Sequence, residues 1–384
     1  MRKKHTRKGK GLSSRRIWMG FLCLVMTGAV VMQNSVIPRR EAYAAQAASM
    51  TPPVAAAYVM DSAGLKLRQG DAPYLTQINY AFALIEEGKV TGSHWQGIKA
   101  FEGYIERNPH ILPIMAVGGW GADGFSQAAA GEESRKVFVQ SALQLMERHG
   151  FRGIDIDWEY PGLATAGIKA SEKDGENYIL LLRELRKALD SLTAQDGVKR
   201  YLSVALGAAP ETTQAIDLKA VGAIADQVNV MTYDLMGFDK TTGHHANLYA
   251  YGDETRLSGA KAVEDLAAKG IPKEKIMLGA AAYGRCWRQV QGGDGLGRRA
   301  GTSGNKIYTY RQIKEMMADY QSHWDDEAQA PYLFDGSRFI SYEDPRSVSA
   351  KGEYARKQGL MGVVLWEYSK DDGDLVKALF DGLQ

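Results

Sequence analysis

Three carboxylates stand at alternate positions of the segment GIDIDWEYP, namely Asp155, Asp157 and Glu159. Residues two apart in a β-strand point to the same face, so this spacing predicts acidic side chains that project in one direction. The apolar residues between them, which include Trp158, predict that the strand is buried. Burial and like charges both raise carboxyl pKa values, so we expect at least one of the three to be protonated at neutral pH, the state that a general acid requires.

Two other interpretations of this acidic row compete with the first. The acids could be solvated on an edge strand, but the apolar residues between them argue against that. They could instead bind a hard metal cation. However, no H-x-H motif accompanies an early strand, and His244 and His245 stand in a Gly/Thr-rich loop, where we expect a polar surface role. We therefore expect neither a metal nor a cofactor.

A row of this kind needs a buried strand, and the chain contains short apolar runs separated by amphipathic stretches. Apolar residues recur at helical spacing over 133–149, 172–193 and 257–269. This alternation is typical of βα units and a parallel sheet. Eight strands predict the α/β class and a (β/α)8 TIM barrel, whose active site forms at the C-terminal ends of the strands. The eight runs begin at Val54, Gln77, Ile111, Gly153, Tyr201, Asp226, Lys275 and Gly362.

The interval between the seventh and eighth runs is too long for a single helix. Residues 286–341 contain a Gly/Arg-rich stretch, a helix-like segment at 310–320 and the strand-like segment PYLFDGSRFISY. We expect a small α+β insertion there, beside the mouth of the active site. The last barrel helix is predicted at 345–358.

The first 44 residues have the layout of a secretory signal peptide, with a basic run, an apolar run over 17–32 and small residues at Ala42 and Ala44. We expect cleavage after Ala44 and a secreted, extracellular catalytic region at 45–384, with association to the cell envelope left open. A bilayer span needs roughly 20 apolar residues. We therefore expect no stable membrane span after removal of the signal, although an uncleaved anchor is an alternative.

The net charge of +2 conceals two regions of opposite sign. The first 44 residues hold ten basic residues and one acid, whereas the remainder holds 37 basic and 44 acidic residues. A nucleic-acid surface needs clustered positive charge, so we expect no nucleic-acid partner. Cys23 falls in the apolar run, which leaves Cys286 alone in the mature chain and excludes an intramolecular disulfide there.

The segment GIDIDWEYP resembles the D-x-x-D-x-D-x-E signature of family 18 glycoside hydrolases, the chitinase family. Other segments agree in order: AVGGW resembles S-x-G-G, MTYD at 231–234 matches M-x-Y-D, YGR at 283–285 matches the seventh strand, and Trp366 matches the tryptophan of the eighth. The expected insertion is similar to that of one subgroup. The resemblance therefore extends from Val54 to the C-terminus, and the acidic signature is its most specific part.

The resemblance implies a catalytic role for four residues. In this family the glutamate, here Glu159, protonates the glycosidic oxygen while the substrate's own 2-acetamido carbonyl attacks the anomeric carbon. Asp157 would turn between Asp155 and the acetamido N–H, and Tyr233 would donate a hydrogen bond to the acetamido oxygen. No separate nucleophile is then required.

Seven further residues are candidates for substrate binding, each with a plainer alternative. Asp234 would bind sugar hydroxyls, Trp366 would form the apolar floor under the sugar, and Trp120 would be a stacking platform. Trp366 and Tyr233 could instead simply pack the barrel. Arg285 could bind a sugar or could instead neutralise the acidic residues at the mouth of the site. Tyr58, like Tyr80 and Phe82, could be a core aromatic. The seven are Asp234, Met231, Trp366, Trp120, Tyr283, Arg285 and Tyr58.

Two positions depart from the family pattern. Arg152 occupies the first acidic position of the signature, and Ala116 replaces the serine of S-x-G-G. In the family these positions support the aspartate pair, so we expect activity to survive with an altered pH profile.

The predicted function is retaining hydrolysis of β-1,4-linked N-acetylglucosamine polymers, chitin or chitooligosaccharides, by a monomer. Another acetamido glycan, such as an N-glycan core or a peptidoglycan-type chain, is the alternative within the same mechanism. A non-catalytic chitin-binding lectin is the alternative from another class, but lectin-like members of the family have lost the glutamate that is present here as Glu159.

Overall fold

A computed structural model describes residues 53–253 and 255–384. The predicted signal segment at 1–44, with Cys23, lies outside the described residues. The described strands are β1 (Val54–Met60), β2 (Gln77–Glu86), β3 (Lys89–Thr91), β4 (Leu112–Gly118), β5 (Gly153–Asp157), β6 (Tyr201–Gly207), β7 (Gln227–Met231), β8 (Ile276–Ala281), β9 (Tyr283–Arg288), β10 (Lys306–Thr309), β11 (Gln321–Asp325), β12 (Ala330–Phe334), β13 (Arg338–Ser341) and β14 (Gly362–Trp366).

The described helices lie mainly between the strands of the large sheet. They are α1 (Ile98–Arg107), α2 (Phe125–Ala129), α3 (Glu132–Arg148), α4 (Asp174–Asp196), α5 (Pro210–Thr213), α6 (Leu218–Ile224), α7 (Gly259–Ala268), α8 (Tyr310–Met316), α9 (Pro345–Gln358) and α10 (Asp374–Leu383).

The large sheet closes on itself as a parallel barrel. Its strands follow the order β1-β14-β8-β7-β6-β5-β4-β2, and β1 also pairs with β2. Each barrel strand coincides with one of the apolar runs, because β-branched and other apolar side chains fill both faces of a strand that is covered by helices outside and by its neighbours inside. The predicted (β/α)8 barrel is confirmed.

The helices form where apolar residues recur with a period of about 3.6 residues. The longest, α4, buries Leu181, Leu182, Leu185 and Leu189 against the barrel and ends at Gly197, whose φ of 74° is the left-handed conformation of a helix C-cap. The helix α9 begins with Pro345 in its first turn, after a capping box formed by Asp344 and Ser347. Its prediction as the last barrel helix is wrong, because α9 precedes β14 and α10 follows that strand and packs against β1 and β14. Capping and period thus explain why the helix ends lie within a few residues of the predicted ones.

A second sheet is inserted between β8 and β14. It is antiparallel, with the order β10-β9-β13-β12-β11, and α8 packs beside it. One face is apolar, since the buried rings of Trp287 and Phe339 meet edge to face with their centroids 5.7 Å apart. A single residue, Ala282, separates the end of β8 from the start of β9 at Tyr283. The second sheet therefore places Tyr283 and Arg285 at the C-terminal end of the barrel.

A buried ion pair ties the outer helix α9 to the barrel strand that leads into this insertion. Lys351 Nζ lies 2.8 Å from Glu343 Oε1 and donates to the Gly279 carbonyl oxygen at 3.0 Å, and Glu343 Oε1 accepts from the Ala281 amide at 2.8 Å. Each charge is therefore compensated by its partner and by the backbone. This contact anchors the end of β8, close to Tyr283.

Among the helices at 53–253 and 255–384, none has the length and apolar character needed to cross a bilayer.

Candidate active site

The acidic row lies at the C-terminal end of β5. Asp155 and Asp157 belong to the strand, with exposed fractions of 0% and 4%, and Glu159 follows two residues later and is partly buried. The strand register aligns Asp155 with Ala116 of β4 and with Ser203 of β6, and Asp157 with Gly118 of β4. The C-terminal end of a barrel strand is where TIM-barrel active sites form, so the row occupies the expected position.

Asp155 is held by three neutral donors from three other strands. Its Oδ2 accepts from the Tyr58 hydroxyl at 2.6 Å, and its Oδ1 accepts from Ser203 Oγ at 2.5 Å and Asn229 Nδ2 at 3.0 Å. Burial raises the pKa of Asp155 above its ordinary value, and the three hydrogen bonds reduce that rise without cancelling it, because they stabilise the ionised form. Gln227 in turn donates to Asn229 Oδ1 at 2.7 Å and fixes that amide.

Asp157 has the opposite environment. Its Oδ1 is buried and has no hydrogen-bond partner among the described residues. Burial first, and then the charges of Glu159 and Asp155, raise the pKa of Asp157 well above its ordinary value. A buried carboxyl without donors favours its neutral form, so Asp157 is the member of the pair that carries the proton.

Glu159 is partly protonated at neutral pH. Burial raises its pKa to about 7, and the nearby negative charge of Asp234 adds to the effect. A carboxyl with a pKa near the working pH can donate a proton in one step and accept it in the next. This is the electrostatic requirement of a general acid and base.

Aromatic rings form one wall beside the row. Tyr233 and Trp366, both partly buried, pack against buried Tyr283, and the rings of Tyr58 and Phe82 lie 5.4 and 5.7 Å from the Trp366 ring, centroid to centroid. Burial and the neighbouring carboxylates raise the pKa of Tyr233 well above 10, so its hydroxyl remains a hydrogen-bond donor. The structure thus brings Tyr233, Tyr283 and Trp366 together.

Asp234 lies within a cationic environment. The Arg285 guanidinium Nε is 2.6 Å from its Oδ1, and His245 Nδ1 is 3.6 Å from the same oxygen. Burial opposes ionisation, but the contacts with His245 and Arg285 prevail and lower the pKa of Asp234. Arg285 is 5% exposed, so neutralisation of this carboxylate, one of its two predicted roles, is the role that its contacts support.

The predicted surface role of His244 and His245 is wrong. Both side chains are fully buried, because the inserted sheet covers the loop that carries them. His244 Nε2 lies 2.9 Å from Asp325 Oδ2 of β11, and His245 Nε2 lies 3.1 Å from the Tyr283 carbonyl oxygen. The loop composition alone contained no sign of this cover.

The remaining substrate-binding candidates differ in position. Trp120 is 65% exposed, with its ring 6.4 Å from that of Tyr160, and Met231 is the partly buried last residue of β7. Tyr58, predicted to bind substrate, is 3% exposed and its hydroxyl is bonded to Asp155, so it lies with the carboxylates rather than on an open surface.

Arg152, at the first acidic position of the signature, donates to the Lys199 carbonyl oxygen, at 3.3 Å from Nε and 3.1 Å from Nη2.

Two residues beside the mouth were missed in the sequence. Phe238 is 71% exposed and its ring lies 4.8 Å from the Arg285 guanidinium, and Lys370 Nζ lies 5.0 Å from the Tyr283 ring centroid. Phe238 follows MTYD by four residues, so an aromatic residue soon after a strand end was the available signal. For Lys370 no comparable signal exists, because its position depends on how the loop after β14 folds back.

Comparisons with known proteins agree with this geometry. The sequence profile of Glycosyl hydrolases family 18 matches residues 55–371. Chitinase A1 of Niallia circulans is 35% identical over 292 residues, which cover 69% of this chain and 41% of that protein. Chitotriosidase-1 of Mus musculus is 32% identical, with 69% of this chain and 60% of that protein covered. The chain thus matches about half the length of these relatives.

Two solved structures match over nearly their whole length. A glycoside hydrolase family 18 N-acetylglucosaminidase from Paenibacillus barengoltzii superposes with a TM-score of 0.82 at 39% identity, covering 86% of this chain and 99% of that one. A chitinase-like agglutinin from Robinia pseudoacacia superposes with a TM-score of 0.76 at 27% identity, covering 86% of this chain and 100% of that one. The same fold is therefore found in both a hydrolase and an agglutinin.

The raised pKa of Glu159 predicts a pH-dependent effect of Glu159→Gln on stability. The folded protein keeps this proton up to a pKa of about 7, whereas the ordinary value is 4.5, so wild-type stability falls as the pH rises through that window. The amide has no such loss. We expect the variant to match wild type at pH 4 and to exceed it above pH 8 by about 3 kcal/mol, measured by denaturant unfolding. Glu172→Gln, at an exposed acid, is the control; a constant difference at all pH values would contradict the assignment.

Proposed function

The chain belongs to Glycosyl hydrolases family 18, and from this premise we propose that it hydrolyses β-1,4-linked N-acetylglucosamine chains, in chitin or chitooligosaccharides. The observation that carries the proposal is Glu159, a partly buried carboxyl with a pKa of about 7 at the end of β5, next to a second carboxyl that favours its neutral form. This pair supplies an acid and an orienting group within one site. Matches to chitinases and to an N-acetylglucosaminidase support the choice of glycan.

Cleavage would begin with proton transfer from Glu159 to the glycosidic oxygen. The acetamido carbonyl oxygen of the substrate attacks the anomeric carbon, the bond from that carbon to the glycosidic oxygen breaks, and an oxazolinium ion remains. Water then attacks the anomeric carbon while the Glu159 carboxylate accepts its proton, and the bond from that carbon to the acetamido oxygen breaks, which restores the acetamido group. Two inversions at one carbon give net retention, so the product has the β configuration.

Asp157, Tyr233 and Trp366 would act on the acetamido group and its ring. An Asp157 carboxyl oxygen accepts a hydrogen bond from the acetamido N–H, and the partial negative charge of that oxygen stabilises the oxazolinium ion. The Tyr233 hydroxyl, which stays protonated, donates to the acetamido oxygen. The partly buried Trp366 ring offers an apolar floor to the sugar. Asp234, ionised beside Arg285, would accept from sugar hydroxyls.

The proposal also covers where the protein acts and which molecule it binds. We infer that residues 1–44 direct export and that the remaining chain acts outside the cell as a monomer on a glycan partner. The layout of the first 44 residues supports export, and the acidic balance of the remainder argues against a nucleic-acid partner.

Glu159→Gln tests the proposed activity. Wild type, incubated with N-acetylglucosamine hexamer and followed by proton NMR, is expected to release fresh β-anomer, and the variant to lose at least about a hundredfold in kcat because the general acid is absent. Glu172→Gln is expected to behave as wild type. Fresh α-anomer would contradict the substrate-assisted route, and binding without cleavage by wild type would indicate a lectin instead.

Lys370 favours a second candidate substrate. Its Nζ lies 5.0 Å from the Tyr283 ring centroid and 5.9 Å from that of Trp366, the proposed sugar floor. It forms no ion pair among the described residues, since the neighbouring Asp372 pairs with Lys314. An ammonium group at a sugar site can pair with a carboxylate on the glycan. This arrangement favours a peptidoglycan-type chain, whose alternate acetamido sugars carry a lactyl group with a free carboxylate wherever no peptide is attached.

Lys370→Gln distinguishes the two substrates. If the carboxylated glycan is cleaved, we expect the variant to lose about tenfold more kcat/KM on it than on neutral chitooligosaccharide of equal length, since a charge-assisted hydrogen bond is removed. Lys370→Arg, which keeps the charge, should retain most of the difference. Equal losses on both glycans would contradict a role of Lys370 in selecting a carboxylate.

A further inference from the structure

Asp155 has a neighbour of different chemistry on each side. The strand register places Ala116 of β4 opposite Asp155 on one side and Ser203 of β6 on the other. All three residues are completely buried. Ala116 has no polar side-chain atom, so a hydroxyl that reaches Asp155 from a directly paired neighbour can come only from Ser203.

The geometry of Ser203 is that of a strong hydrogen bond to a charged group. Its Oγ lies 2.5 Å from Asp155 Oδ1, shorter than the 3.0 Å from Asn229 Nδ2 to the same oxygen. Short O–H···O contacts are typical of an ionised acceptor. In a site without bulk water, such a bond contributes more than it would at the surface.

The charge of Asp155 matters for the reaction because Asp157 depends on it. Asp157 Oδ1 has no donor among the described residues, so this carboxyl is free to turn toward the acetamido group. When it turns away, the negative charge left on Asp155 is stabilised by its three donors. Loss of one donor would therefore favour the protonated, inactive form of Asp155.

We propose that Ser203 is a positioning residue that keeps Asp155 ionised, and that it supplies from β6 the hydroxyl that Ala116 cannot supply from β4. The inference rests on the proposed function and deepens it, since it acts through Asp155 on the aspartate that orients the substrate. Ser203 itself lies beneath the row and is not expected to touch the glycan.

Other titratable groups face Asp155 from the surrounding elements. They are Tyr58 of β1, Tyr178 of α4 and Asp157 on the same strand, with Glu159 two residues beyond the end of that strand. Burial first, and the acidic row second, raise the pKa values of Tyr58 and Tyr178 well above 10, so both stay neutral across the working range. The acid limb of a pH–rate profile should thus report the Asp155 and Asp157 pair, and the alkaline limb Glu159.

Ser203→Ala tests the proposal. We expect the acid limb of kcat to move to higher pH by about one unit, because one hydrogen bond to a carboxylate is lost, while the alkaline limb and KM stay close to wild type. Ala116→Ser in the Ser203→Ala background should return the limb toward wild type, since it provides a hydroxyl from the opposite strand. Ser126→Ala removes another buried Ser–Asp bond, 2.7 Å to Asp174 outside the site, and is the matched control.

Two outcomes would overturn the proposal. One is an unchanged acid limb in Ser203→Ala; the other is a uniform loss at every pH that Ala116→Ser does not rescue, which indicates structural damage only. If Ser203→Ala does not fold, Ser203→Cys keeps the volume with a weaker donor and should give a smaller shift of the same sign. If wild type shows no turnover, the proposed function fails; the carbon-13 titration of the Asp155 carboxyl then decides on Ser203, with the same upward shift expected.

Discussion

The burial of three carboxylates at the end of one barrel strand is the constraint on which the rest of the site depends. Such groups lose hydration and repel one another, so they are tolerated only if protons and donors are distributed among them. Here the distribution is unequal: Asp155 has three donors, Asp157 Oδ1 has none among the described residues, and Glu159 lies nearer the solvent. The inequality gives the three carboxyls different affinities for a proton.

The barrel is what makes this distribution possible. Tyr58, Ser203 and Asn229 come from three different strands and meet at Asp155 because a closed parallel barrel points its inward side chains at a common axis. The inserted sheet adds a second layer, in which Arg285 keeps Asp234 ionised and the buried Lys351–Glu343 pair anchors the strand that leads to it. The fold therefore determines how readily each carboxyl holds a proton, and it forms the aromatic wall against which a sugar would lie.

Much of this was predictable from the sequence because it depends on local periodicity. The period of two in GIDIDWEYP identified the acidic row, and apolar runs with helical stretches between them identified the barrel. The partners of Asp155 could not be predicted, since Tyr58 and Asn229 are 97 and 74 residues away along the chain and reach it only through barrel closure. The burial of His244 and His245 was missed because their cover, β11 and its neighbours, follows about 80 residues later.

The account rests most directly on the protonation of Glu159. Carbon-13 NMR of protein labelled at the glutamate side-chain carboxyls, titrated from pH 3 to 9, would measure it, with Glu159→Gln assigning the signal. The account predicts a midpoint near pH 7, the pKa of about 7 expected from burial. A midpoint near the ordinary value of 4.5 would contradict it, because Glu159 would then be ionised at neutral pH and unable to serve as the general acid.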